Sequence, residues 1–242
     1  MAKKLVSAGF VFLLLAITYA YSSDLKKGKG WGSEVKTSEP PLISSLLKPL
    51  LLKRVLEDKE IVAHASLDKL PNSPQDNNKK KYSIYASMLV SSSVKEAYTA
   101  LTDYKLYAKL VPFIESAVFS PISHILRLEG GIWSFRLSSQ ILFTEQLDRW
   151  IHFDIIGGHF TGLSGNIYFE SKGEKGTLVY LSGEQIGTHW PPTFIIERGA
   201  EIVFGFTAQR MRSYIESTKK AQQGAKHGDH EERQIPEPRN HL

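Results

Sequence analysis

The stretch VKEAYTALTDYKLYAKLVPFI, residues 94–114, decides the fold of this chain. Ser93 precedes it and Glu96 lies three residues further on, which is the pattern of a capping box at the start of a helix. Asp103 then opens a second short helical segment, which Pro112 ends. The stretch therefore predicts two short helices in succession.

Strand-like segments lie on both sides of these helices. Residues 60–67 and 82–90 precede the helices, and six further segments follow, separated by turn signals. The six are residues 118–121, 124–128, 132–143, 150–156, 164–169 and 177–181. In the longest of them Leu137, Ile141 and Phe143 share one side of the strand. This alternation predicts an antiparallel sheet with one apolar face.

A long helix is predicted after the last strand. Pro191 and Pro192 suit its first turn, and Ile195, Ile202 and Phe206 recur at a helical period. Strands segregated from helices predict an α+β fold, in which a curved antiparallel sheet surrounds a long C-terminal helix. The space between sheet and helix becomes an elongated apolar cavity.

The chain resembles the START-like SRPBCC superfamily. Residues 94–114 are similar to its helix-and-turn signature, and FDIIGGHFTGLSGNIYF, residues 153–169, is similar to its strand-turn-strand signature. The nearest branch is the polyketide cyclase/dehydrase and coenzyme Q-binding (Coq10-like) group. The resemblance covers residues 57–218 and implies the helix-grip (START/Bet v 1-like) fold. Asn166-Ile167 departs from the pattern, because a tryptophan is common after the glycine.

We predict a cavity lined by apolar and aromatic side chains. The candidates are Trp133, Phe135, Leu137, Ile141, Phe153, Tyr168, Tyr180, Ile195, Ile202 and Phe206. Arg136 and Glu184 are candidates for orienting a polar group of the ligand. The alternative for the whole set is that these side chains fill a core, since cavities and cores share the same lining chemistry.

Candidate catalytic residues are few. Asp103, His152 and Glu184 are the side chains that a cyclase or dehydratase could use as acid or base. We expect Asp103 to cap the second short helix and His159 to be a turn residue. His189 falls just before the long helix, and no histidine spacing matches a zinc motif. We therefore expect no metal, no cofactor and no assigned catalytic residue.

The ends of the chain predict export and disorder. Residues 1–23 have the order of a secretory signal: Lys3 and Lys4, an apolar run, then small residues. The segment is either cleaved or kept as an anchor, so we expect an exported, periplasmic or membrane-anchored protein. Residues 24–52 form a linker and a leucine-rich segment, 53–218 the domain, and 219–242 a disordered tail.

The leucine-rich segment has two interpretations, which differ in what the segment contacts. Residues 42–56 lie on their own domain, which we favour, or contact a membrane surface. The first functional hypothesis is a binder or carrier of a hydrophobic small molecule or lipid. The second is an interaction module of the cell envelope with a filled core, and the third is a cyclase- or dehydratase-type enzyme.

Composition excludes several classes of function. The 242 residues contain no cysteine, which excludes disulfides, thiolate zinc sites and a cysteine nucleophile. The net charge of +5 is modest, and much of the lysine lies in the N-terminal third. This distribution is not the footprint of a nucleic-acid-binding protein.

Overall fold

The computed structural model describes residues 40–70, 79–132, 135–188, 190 and 193–228. The sheet has eight strands: β1 (Val62–Lys69), β2 (Lys80–Val90), β3 (Ile114–Ser120), β4 (Ile125–Ile132), β5 (Phe135–Gln146), β6 (Trp150–Gly158), β7 (Ser164–Ser171) and β8 (Thr177–Gly187). The α-helices are α1 (Ile43–Leu46), α2 (Pro49–Leu56), α3 (Val94–Thr102), α4 (Tyr107–Leu110) and α5 (Thr193–Gly228). Short 3₁₀ turns cover Tyr104–Leu106 and Gly173–Lys175.

All eight strands belong to one antiparallel sheet. Their order is β1-β2-β8-β7-β6-β5-β4-β3, so β2 pairs with β1 on one side and with the last strand, β8, on the other. The segment that contains α3 and α4 carries the chain from β2 to β3 at the opposite edge of the sheet. Helix α5 then returns to contact β1, β2, α3 and α4. This topology is the predicted α+β helix-grip fold.

The start of α3 follows the sequence signal. The Glu96 backbone N–H donates to Ser93 Oγ at 3.3 Å, and the Ser93 backbone N–H donates to Glu96 Oε2 at 2.8 Å. The predicted capping box is confirmed, and it satisfies two amide donors that a helix start leaves free. Ala97, Tyr98 and Leu101 form the buried side of α3.

The inner face of the sheet is the face that packs against α3 and α5. Phe143, Ile151 and Phe153 are buried on it, since alternate residues of β5 and β6 point the same way and pair across the two strands. From α5, Met211 and Ile215 join the same cluster. The predicted apolar face is therefore the one that meets the long helix.

The outer face carries residues 42–56, which we call the strap. Ile43, Leu47 and Val55 are buried against outer-face residues that include Leu89 and Leu178. The structure thus places the leucine-rich segment on its own domain. Part of the strap falls in residues 24–52, which the sequence pattern assigns to the linker and leucine-rich segment. Its burial was not evident from the sequence, because it depends on contacts with strands that include residues over 100 positions away along the chain.

The C-terminal helix is longer than the sequence indicates. Helix α5 extends through residues 219–228, which the composition assigned to a disordered tail. Lysine, glutamine and alanine dominate this stretch, and they favour helix once a packed helix precedes them. No helix in the described part of the chain combines the length and hydrophobicity of a membrane span. The proposed signal, residues 1–23, lies outside the described residues.

Candidate apolar groove

The inner face contains one row of small side chains beside a row of large ones. The large row pairs Phe119, Leu126, Ile141 and Ile155 across β3, β4, β5 and β6. The next row pairs Ala117, Leu128, Ser139 and Gly158 across the same strands. Only one of its four residues has a large side chain, so the side chains of this row fill less of the inner face than those of the row beside it. We call this row the groove.

Burial is lower in the groove row than in the row of large side chains. Leu126 is fully buried, whereas Leu128, two residues along the same strand, is only half-buried. Ala117 is also half-buried. Helix α5 rests over the β1–β2 side of the sheet, and its half-buried Phe204 and Ala208 face the same core. The groove is therefore apolar and incompletely covered.

A tyrosine–carboxylate cluster lies at the α3 end of this face. The Tyr98 hydroxyl donates to Glu145 Oε2 at 2.9 Å, and the Tyr104 hydroxyl donates to Glu145 Oε1. The Tyr107 hydroxyl donates to the carbonyl oxygen of Leu101 at 3.0 Å. These bonds satisfy polar atoms that would otherwise be costly to bury. Sequence reasoning missed this cluster, since Glu145 lies more than 40 residues from the tyrosines that it contacts.

Burial keeps the phenols of this cluster protonated. The Tyr104 ring lies 4.4 Å from both Phe119 and Phe143, measured between ring centroids. Burial, reinforced by the hydrogen bond to Glu145, raises the pKa of Tyr104 and of Tyr98. The cluster thus offers neutral hydroxyl groups, already engaged with Glu145, at the end of an apolar surface.

The raised pKa values predict a loss of stability in alkali. Above about pH 10 the unfolded chain releases tyrosine protons that the folded cluster retains, so the free energy of unfolding falls as the pH rises. Each such tyrosine contributes a slope of about 1.4 kcal/mol per pH unit. We expect Tyr104→Phe to make the decline shallower. Urea unfolding measured at several alkaline pH values tests this, and equal slopes for both proteins would contradict it.

Three of the predicted cavity residues lie on the inner face. Phe153 is buried, and Leu137 and Ile141 are half-buried. Trp133 lies outside the described residues, and the side chains of Phe135 and Ile195 are likewise outside them.

Two predicted cavity residues belong to the other side of the sheet. Tyr180 is buried in the outer-face cluster beneath the strap, with Tyr168 partly buried beside it. Tyr180 also stacks on Tyr85, with 6.2 Å between ring centroids. Strand β8 is apolar on both sides, because one side faces the core and the other faces the strap. Alternation alone could not assign these tyrosines to a face.

The predicted stripe on α5 also points elsewhere. Ile202 is 52% exposed and Phe206 44% exposed, whereas Ile196, Met211 and Ile215 are buried. Helix α5 has apolar residues on more than one side, so the sequence offers two stripes. The buried stripe is set by the position of β1 and β2.

The two polar orienting candidates form ion pairs at the surface. Arg136 donates two hydrogen bonds to the carboxylate of Glu115, at 3.0 and 2.9 Å, and both side chains are exposed. Glu184 pairs with Lys81 at 2.6 Å and is also exposed. Both lie on the parity opposite to the inner-face residues of their strands, so the structure brings neither to the groove.

The candidate acids and bases are equally remote from the groove. His152 lies on the outer face, where its ring nitrogens contact Asn166 Oδ1 at 2.9 Å and Asp154 Oδ2 at 3.1 Å. Asp103 is exposed, and its side chain makes no cap bond to the 3₁₀ turn that follows. The turn is instead closed by the Leu106 backbone N–H, which donates to the Asp103 carbonyl oxygen. The expected side-chain cap is therefore wrong.

Of the two other histidines singled out in the sequence, one lies in a turn and one is outside the described residues. His159 Nδ1 contacts the backbone of Ser138, so it serves the turn after β6. His189 lies outside the described residues. Within the described ranges, no group of three or more His, Asp or Glu side chains could hold a metal ion.

A polar cleft of about 570 Å³ lies at the start of α3. Its lining includes Ser92, Lys95, Asp148, Glu174 and Lys219, and it shares no residue with the groove. One buried oxygen of Asp148 has no hydrogen-bond partner among the described residues. The cleft is hydrophilic and ringed by charges of both signs, so it does not suit the apolar ligand that the groove would take.

Comparison with known proteins finds similar folds without identifying a family. No family model matches the chain, and no curated protein matches it. A START superfamily protein from Mycobacterium smegmatis is similar over 56% of this chain and 98% of its own, at 16% identity and a TM-score of 0.48. The Zhui aromatase/cyclase from Streptomyces sp. R1128 is similar over 56% and 94%, at 11% identity and 0.48.

A protein from Thermus thermophilus gives a comparable match. It covers 56% of this chain and 98% of its own, at 14% identity and a TM-score of 0.48. Matches of this strength carry no conclusion on activity or ligand. The START-like helix-grip fold of this chain rests on its own strand order and on the place of α5.

Proposed function

We propose that the domain binds a hydrophobic small molecule or lipid in the groove. The observation that supports this most directly is the row of Ala117, Leu128, Ser139 and Gly158 beside a row of four large side chains. A ligand that buries about 200 Å² of apolar surface there would gain about 5 kcal/mol. This driving force needs no specific catalytic residue.

The tyrosine–carboxylate cluster would mark one end of the ligand. The Tyr104 ring stacks on Phe143 and makes a tilted contact with Phe119, which lies one step along β3 from the groove row. An apolar ligand that extends from the groove row along the strand direction would meet these rings first and the hydroxyl groups behind them. We therefore favour a ligand with a long apolar body and a small polar end.

The enzyme hypothesis has less support. The proposed acids and bases, Asp103, His152 and Glu184, are exposed or lie on the outer face, away from the groove. The interaction-module hypothesis requires a filled interior, and it predicts that the purified protein carries no extractable compound.

Native mass spectrometry before and after mild organic extraction tests the proposal. We expect a bound mass that extraction removes. Ala117→Phe fills the groove row, and we expect it to weaken ligand or probe binding about tenfold, the equivalent of roughly 55 Å² of lost apolar contact. Val118→Phe is the matched control, because the adjacent side chain is exposed on the opposite side of β3. Equal binding by both variants would contradict the groove.

Export remains part of the proposal. The observation that supports it is the order of charged, apolar and small residues in residues 1–23. Cell fractionation with intact-mass measurement of the purified chain tests it. Loss of the N-terminal segment would support a cleaved signal, a full-length mass in the membrane fraction would support an anchor, and a full-length cytoplasmic protein would overturn export.

A further inference from the structure

The strap presents leucines on both of its sides. Ile43 and Val55 are buried against the sheet. Leu42, Leu46 and Leu50 point away from it, with 64%, 39% and 70% of their surface exposed. Single exposed apolar residues are ordinary, but three of them four residues apart on one short segment indicate a contact surface.

The charge of this segment is of one sign. Residues 40–56 contain Lys48, Lys53 and Arg54 and no acidic residue. Arg54 donates two hydrogen bonds to Glu60, so its charge is compensated within the domain. Lys48 is exposed beside the outward leucines, and the exposed Lys53 lies 3.8 Å from the Glu57 carboxylate. The outward surface of the strap is therefore apolar, with Lys48 as its basic residue.

We propose that this surface contacts an anionic lipid bilayer. Apolar side chains flanked by lysines match the interface, where leucines enter the acyl boundary and lysines meet anionic headgroups. A second copy of the chain fits less well, because a two-fold contact through this surface would bring the lysines of both straps together. The occupant is a lipid surface because both its chemistry and its charge complement the strap.

The sequence upstream supports the same occupant. Residues 5–20 form an apolar run preceded by Lys3 and Lys4, and Lys26, Lys27 and Lys29 follow it. A chain of 19 residues, 21–39, joins this run to the residues described in the structure, and it spans at most about 65 Å. The strap is thus tethered close to any membrane that the apolar run enters.

The membrane contact is independent of the groove. The strap lies on the outer face of the sheet and the groove on the inner face, so one surface can be changed without touching the other. The lack of cysteine in the chain allows a label to be placed at a single position. Leu50→Cys puts an environment-sensitive dye on the strap, and Leu147→Cys puts it on an exposed leucine of the β5–β6 turn.

The test uses the full chain with vesicles of phosphatidylcholine, with and without phosphatidylglycerol. We expect the dye at residue 50 to brighten severalfold with anionic vesicles and to be quenched by nitroxide-labelled lipid, while the dye at residue 147 stays unchanged. Lys48→Gln should raise the anionic lipid needed for half of the response about fivefold, because one lysine contributes about that factor at a charged surface.

Three results would overturn the proposal. The first is vesicle binding with no change of the dye at residue 50, which would mean that residues 5–20 alone make the contact. The second is an equal response of both dyes, which would mean that the strap has no special role. The third is a dye at residue 50 that is shielded before vesicles are added, which would mean that another part of the chain or a second copy covers the strap.

Discussion

Gly165→Ala is expected to destabilise the domain by about 3 kcal/mol, the upper end of the cost of overpacking. A Cβ atom at Gly165 would lie 2.1 Å from the carbonyl oxygen of Ser182 and 2.7 Å from the Cα atom of Gly183. It would also lie 2.6 Å from Phe153 Cζ. Two of these atoms belong to the backbone of β8, which cannot move away without breaking its pairing with β7.

Urea unfolding measures this effect, and Gly205→Ala is the matched control. Gly205 lies inside α5, and a Cβ atom there would meet nothing within 4 Å. The same substitution should stabilise the protein by up to about 1 kcal/mol, because alanine favours helix over glycine. If the same glycine-to-alanine change lowers the free energy of unfolding at residue 165 and raises it at residue 205, the close approach of β8 to Gly165 is established. A neutral Gly165→Ala would contradict it.

The strands around Gly165 show which features of the fold could be predicted from the sequence. Gly165 pairs with Phe153 across β6 and β7, and its missing side chain leaves room for the Phe153 ring on the inner face. Asn166 stands where the resemblance predicts an aromatic, and its side chain lies on the outer face, where it contacts His152. The succession of strands along the chain and the alternation of β6 followed from local pattern, since the parity of side chains repeats every two residues.

Contacts between distant residues were not predictable from pattern. Glu145 accepts from Tyr98 and Tyr104, which precede it by 47 and 41 residues, and nothing local marks a carboxylate for that role. Tyr180 was assigned to the cavity because its strand is apolar on both sides, and the strap that covers it contributes no periodic signal. The groove itself follows from which residues pair across four strands, a property of register.

The strap depends on one largely buried carboxylate, and Glu170→Ala is expected to release it. Glu170 Oε2 accepts from the backbone N–H groups of Ile43 at 2.8 Å and Ser44 at 3.4 Å, while Oε1 pairs with Lys172. The side chains of Glu170 and Lys172 are only 18% and 19% exposed. Removing Glu170 leaves a largely buried ammonium group and two amide donors without their acceptor, at a cost of about 3 kcal/mol.

Limited proteolysis reads this release directly, because the strap contains trypsin sites after Lys53 and Arg54. If opening is fast, a loss of about 3 kcal/mol raises the rate of cleavage there about a hundredfold. Cleavage after Lys109, in α4, should change much less, which separates release of the strap from unfolding of the whole domain. Glu174→Ala is the control on the exposed neighbouring turn. Unchanged cleavage of the strap in Glu170→Ala would mean that its buried apolar side chains hold it without the carboxylate.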